Sequence, residues 1–283
     1  MMAGKKRAFE LDVIRGLSIF MMILHHLIWD LQGLFGYNYL FGISLTTFMN
    51  GAFFNYFLQP FFLSCFILVS GICCTFSRNN LARSFRMLIG SIVISGVMAA
   101  VSFALYYSQV ISDLETDGLF VFFNILHLLT VGTFVCWLIE KIERRGQSSD
   151  PVPMDTPTYY SPYVNTATVA LALLIFALRP IVNMYNGNVN TYAFLPFGVL
   201  PKDVISMGDY LPIIPALGIF LIGMTIGRIF YVQRQTRFPG APKWFRRIVL
   251  PFEFIGQHSL IVYLVHQPII LAILFFGRYA QIW

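Results

Sequence analysis

Ile23–Gln32 reads ILHHLIWDLQ. It lies inside a run, Val13–Leu31, that is otherwise apolar enough to cross a bilayer, yet it holds two histidines and an aspartate. Whether that run is a core helix of a soluble domain or a membrane span decides the fold. Composition answers first. Soluble domains carry roughly 25% charged residues, whereas this chain of 283 residues is 11% charged and 57% hydrophobic, with a mean hydropathy of +0.71. The apolar residues also cluster in long runs. The chain reads as an all-α, polytopic membrane protein, because helices satisfy their own backbone hydrogen bonds in lipid.

Working outward from the opening stretch, about seven runs reach the roughly 20 residues a span needs. They lie near Leu11–Leu31, Ala52–Phe76, Met87–Tyr107, Leu119–Ile139, Val164–Asn183, Tyr210–Tyr231 and Leu250–Phe276. YLFGISLTTF (Tyr39–Phe48) is too short to span and is expected at the surface or as a re-entrant dip. The first run carries Asp12, Arg15 and Asp30 and lacks a small-residue cleavage site, so it reads as a retained helix rather than a signal peptide.

Positive charge sets an expected orientation. Lys5–Arg7, Arg78 with Arg83 and Arg86, Lys141 with Arg144 and Arg145, and Arg234 to Arg247 fall on one side of a seven-span chain. The other side has few cations and an acidic turn, Ser112–Gly118. The N-terminus is therefore expected in the cytoplasm and the C-terminus outside. The net charge of +6 is mainly this topology signal, and no nucleic-acid partner is expected. Cys65, Cys73, Cys74 and Cys136 show no metal-site or disulfide spacing and read as small apolar packing residues. Gly146–Tyr163, rich in Pro, Ser and Thr, reads as a flexible cytoplasmic linker.

The histidines of the opening stretch belong to a stripe. His26 and Asp30 are four apart and share a helix face. Arg15 lies eleven positions before His26, three turns to within roughly 20° and about 16 Å away. Asp12 can pair with Arg15, while His25 is rotated by roughly 100° and points elsewhere. A histidine beside a carboxylate suggests a general base whose tautomer the carboxylate fixes. The alternative is a satisfied structural pair; ionisable residues inside a membrane are mostly functional. Further polar residues lie in other runs: Asn124 and His127, one turn apart; Asp209 at the entry to the sixth run; and His266 and Gln267 before Pro268. They are expected to face an interior cavity. Arg83 and Arg86, three apart, suit a phosphate as well as the positive-inside bias.

Several segments carry a resemblance: RAFELDVIRGLSIFMMILHHLIWDL (Arg7–Leu31), FFLSCFILVSGICCTFSR (Phe61–Arg78), NILHLL (Asn124–Leu129), DYLPIIPALGIFLIGMTIGR (Asp209–Arg228) and IGQHSLIVYLVHQPI (Ile255–Ile269). In this order they resemble the bacterial branch of the heparan-α-glucosaminide N-acetyltransferase catalytic-domain family, and more widely the membrane acyltransferases of bacterial surface sugars. The resemblance implies one transmembrane acyltransferase domain over residues 1–283, sited in the cell (plasma or inner) membrane. It implies acetyl-CoA as acyl donor and a hydroxyl or amino group of an extracytoplasmic sugar or glycan as acceptor, with no metal. It implies an essential histidine at His26, with Arg83 and Arg86 near the acyl-CoA. On this reading Asp30 orients His26. Arg15 and Arg78 assist the donor, and Asn124, His127, Asp209, His266 and Gln267 line the acceptor chamber. Homo-oligomerisation stays open. A transporter or flippase of a small polar or lipid-linked solute is the rival reading, and a haem protein with paired histidine ligands is a third.

Overall fold

Among the described residues of the computed structural model, seven helices are long and apolar enough to cross a membrane. All residues are described except 1–7, 41, 115–118, 145–159, 206, 208 and 281–283. Most of Gly146–Tyr163, and part of Ser112–Gly118, therefore lie outside the described residues. The spans are Phe9–Gly33, Phe54–Phe76, Asn80–Tyr107, Ile125–Arg144, Pro162–Met184, Ile213–Phe230 and Ser259–Tyr279. We label the helices α1 (Phe9–Gly33), α2 (Leu45–Met49), α3 (Gln59–Ile72, entered through a π turn at Phe54–Leu58 and left through a 3-10 turn at Cys73–Phe76), α4 (Asn80–Tyr107), α5 (Ile125–Arg144), α6 (Pro162–Met184), α7 (Ile213–Phe230), α8 (Lys243–Gln257) and α9 (Ser259–Tyr279). Tyr39–Phe48 forms a two-stranded antiparallel hairpin, Tyr39–Leu40 with Ile43–Ser44, followed by α2, which Ser44 caps.

The chain forms two compact units: Met1–Val69 with Gln235–Trp283, and Ser70–Arg234. In the first, α1 packs against α8 and α9. Gly16 and Gly256 make the α1–α8 crossing possible. A Cβ on Gly16 would run into the Phe252 carbonyl, and one on Gly256 into the Asp12 carbonyl. Small residues let backbones approach this closely. Phe20 and Phe252 meet edge-on at 5.7 Å beside the crossing. The approach to α8 is pinned by Glu10, which accepts from the Thr236 hydroxyl (2.7 Å) and the Arg237 N–H (2.8 Å). α9 runs parallel to the upper half of α1: His266 meets His26, Gln267 meets Asp30, and Phe275 meets Phe35 just past the end of α1.

The run expected as one span at Leu250–Phe276 is two helices. Its first part belongs to α8, a helix with Lys243, Arg246, Arg247 and Glu253 spaced along it, and the chain breaks at His258 (φ −106°, ψ 22°) before α9. Average hydropathy over that run does not register the break, because the part of α8 inside it, Leu250–Gln257, carries a single charge, Glu253.

In the second unit, α7 is the most enclosed span, with 56% of its apolar window buried, and α6 the least, with 17%. α7 packs against α5, α6 and the Cys73–Phe76 turn. Gly71 lies against the Phe220 backbone of α7. Between Pro212 and Pro215, at the start of α7, Ile214 is in an extended conformation (φ −99°, ψ 119°). α5 starts at Ile125, six residues after the expected boundary at Leu119, because Asn124 caps it. Its side-chain oxygen accepts from the N–H groups of Leu126 (3.1 Å) and His127 (3.3 Å).

Candidate functional site

The α1 stripe divides into two polar centres. At the lower one, Asp12 is 4% exposed, and an Arg15 nitrogen stands 3.7 Å from its carboxylate. The same nitrogen donates to the Gly256 carbonyl at 3.3 Å. That carbonyl ends α8, where a cation complements the helix dipole. Arg15 thus ties α8 to α1.

At the upper centre Asp30 is fully buried. Its two oxygens accept from Gln267 Nε2 at 3.1 and 2.9 Å. The partner expected for Asp30 was His26, one turn away on the same helix; the structure puts an amide from α9 there. His26 instead faces His266, ring centroids 5.1 Å apart and inclined by 49°. His266 is buried, and its Nδ1 lies 2.7 Å from the Tyr263 carbonyl. A carbonyl only accepts, so Nδ1 carries a proton and a neutral His266 has its lone pair on Nε2. His25 lies tilted against Phe54 at 5.3 Å, and its ring is also 5.5 Å from that of His26. In the first unit, then, the fold gathers His26, Asp30, His266 and Gln267.

The remaining expected residues belong to the second unit. His127 Nδ1 lies 2.9 Å from Asn124 Oδ1 and 3.2 Å from the Asn124 N–H. The two residues cap α5 reciprocally, like a capping box with histidine in the third position. Phe123 stacks on the His127 ring at 5.2 Å. Asp209 is exposed in a turn before α7 at φ 55°, a left-handed conformation that Asp tolerates better than most residues. The neighbouring Tyr210 donates to the Leu195 carbonyl at 2.7 Å, and burial pushes its phenol up to about 12.

Arg83 and Arg86 differ in setting. Arg83 is half-buried and reaches the Ser70 carbonyl (3.4 Å) and the Cys74 sulfur (3.8 Å). Arg86 and Arg78 are exposed. All three surround the start of α4, whose first N–H groups are capped by Asn79 through a 3.0 Å bond from Ala82.

A family model described as "Heparan-alpha-glucosaminide N-acetyltransferase, catalytic" matches residues 7–148 and 158–268. The chain belongs to this family. It is accordingly a multi-pass membrane protein of an acetyltransferase family. The match spans the segments that carry His26, Asp30, Arg83, His127, His266 and Gln267. Neither the comparison with curated proteins nor that with solved structures gave a match.

This N-acetyltransferase-family chain also has polar centres that sequence reasoning passed over. Buried Asn80 donates to Glu140 at 2.9 Å and to the Cys74 carbonyl at 3.1 Å, with the Cys136 sulfur 3.6 Å away. Two of the cysteines read as plain packing therefore sit in a polar cluster. Arg228, 2% exposed, grips both Glu143 oxygens at 2.7 Å and donates to Asn165 at 2.6 Å. Tyr160 lies over its guanidinium at 4.3 Å. Burial, and then the charge of Glu140, push the Tyr160 phenol up. The available signal was Glu140 and Glu143, three apart and interleaved with Lys141 and Arg144 in the last turns of α5.

Proposed function

We propose that this protein is an acyl-CoA-dependent acyltransferase that moves an acetyl group to a hydroxyl or amino group of a sugar or glycan, across or at the plasma membrane. Family membership supports the transferase class. The observation that carries the site is the packing of His26 against His266 next to the buried Asp30–Gln267 hydrogen bond. In this reading His26 takes the proton from the acceptor as the acceptor oxygen or nitrogen attacks the thioester carbonyl. The carbon–sulfur bond breaks, and the CoA sulfur leaves as a thiol after receiving that proton. A transient acyl group on His26 is the two-step version of the same transfer. Asp30 and Gln267 act as positioning residues: they lock α9 on α1 and so hold His266 against His26. Arg78, Arg83 and Arg86, at a helix N-terminus, supply the charge for the donor phosphates. Asp209, and Asn124 with His127, are proposed on the acceptor side.

The test is transfer of label from acetyl-CoA by purified protein, measured with thermal stability in detergent. His26→Gln should abolish transfer and leave the melting midpoint near wild type, since Gln keeps polarity without useful basicity. His25→Gln should keep most activity. Normal transfer by His26→Gln would remove the catalytic assignment and make transport the leading reading.

A further inference from the structure

α8 leaves an apolar strip uncovered. Trp244 and Ile248 are 65% and 62% exposed. The residues that attach the helix, Val249, Glu253 and Gly256, are buried, with Gly256 in backbone contact with α1. Trp244 and Ile248 are four apart and share a strip. Lys243 and Arg247, also four apart, form the strip beside it, rotated by roughly 100°. Arg246 is already engaged, by Glu253 at 3.2 Å and by the face of Phe9 at 3.9 Å. Lys243 and Arg247 have no carboxylate partner among the described residues.

The position of α8 is as informative as its pattern. Its end lies against Asp12 and Gly16, in the first turns of α1, so the helix sits at the level where α1 enters the bilayer. A helix with three cations in its first five residues is too charged for the hydrocarbon. One with exposed tryptophan and isoleucine beside those cations suits the boundary between headgroups and acyl chains.

We propose that α8 is a binding surface for anionic phospholipid. Trp244 and Ile248 enter the acyl boundary while Lys243 and Arg247 meet the headgroup phosphates. Because α8 rests on α1 through Gly16 and Gly256, lipid held there is coupled to the helix that carries His26.

The experiment uses full-length protein in a neutral detergent, following the melting midpoint as short-chain phosphatidylglycerol is added. A ligand that binds the folded state raises that midpoint. Each basic residue near an anionic surface contributes about fivefold in affinity. Lys243→Gln with Arg247→Gln should therefore raise the lipid concentration for half-maximal effect by about 25-fold. Added salt should weaken the wild-type response. Trp244→Ser, with both cations kept, should also weaken it. The half-effect concentration is read within each protein, so a lower baseline midpoint in a variant does not disturb the comparison. Equal half-effect concentrations for wild type and the double variant would overturn the proposal. So would an equal response to short-chain phosphatidylcholine, which would mean simple filling of an apolar surface. An equal response to inorganic phosphate would likewise overturn it in favour of a free-anion site.

Discussion

At the scale of single residues, the buried carboxylate of Asp30 and the amide of Gln267 stand or fall together. Removing one partner strands the other away from water, at about 1–3 kcal/mol and more for a charge. Gln267→Leu and Asp30→Leu should each lower detergent-extracted stability by that order. The double variant should recover much of the loss, because matched apolar groups leave nothing stranded. Additive losses in this double-mutant cycle would show that the two side chains do not act as a pair. The stripe on α1 was legible in the sequence, since helical spacing alone puts Arg15, His26 and Asp30 on one face. What Asp30 touches was not. Spacing within a helix says nothing of the partner that a second helix brings from far along the chain.

At the scale of elements, the α1–α8 crossing depends on the absence of a side chain at Gly16 and Gly256. Gly256→Ala sets a methyl against the Asp12 carbonyl, so the helices must part. A loss of about 1–3 kcal/mol is expected, as for other overpacked interiors. Gly240→Ala, where a Cβ would meet open space, is the matched control and should be close to neutral. The check is thermal denaturation of both variants; equal midpoints would mean the crossing tolerates the methyl. Hydropathy located the spans because a bilayer demands length and apolarity and little else. It misjudged the start of α5 and merged α8 with α9. Those boundaries are set by the Asn124 cap and by the break at His258, and neither changes the average apolarity of the run.

At the scale of the whole molecule, the charge asymmetry predicts sidedness. Single cysteines placed between 146 and 159 and within Tyr185–Asp203, in a background free of the four native cysteines, should react with an impermeant maleimide from opposite sides of the membrane. Reaction of both from one side would break the seven-span arrangement. The parallel run of α1 and α9 fits an odd number of crossings, since the first and last spans must then enter from the same face. The membrane class and the family resemblance were legible at this scale from composition and ordered motifs. The division into two compact units was not, because the contacts that organise each unit, such as Arg228 with Glu143, join residues distant in sequence.

The Arg228 cluster carries a consequence for the stretch between α5 and α6. The Ser161 N–H donates to Glu143 at 2.6 Å while Arg228 holds the same carboxylate. The exit from α5 and the entry to α6 are thus fastened at one point, and the chain between them closes a ring. Lengthening such a ring is thermodynamically mild, about 0.6 kcal/mol for each doubling. Residues 146–159 are therefore a splice port, where a reporter or affinity module can be inserted without drawing either helix from its seat.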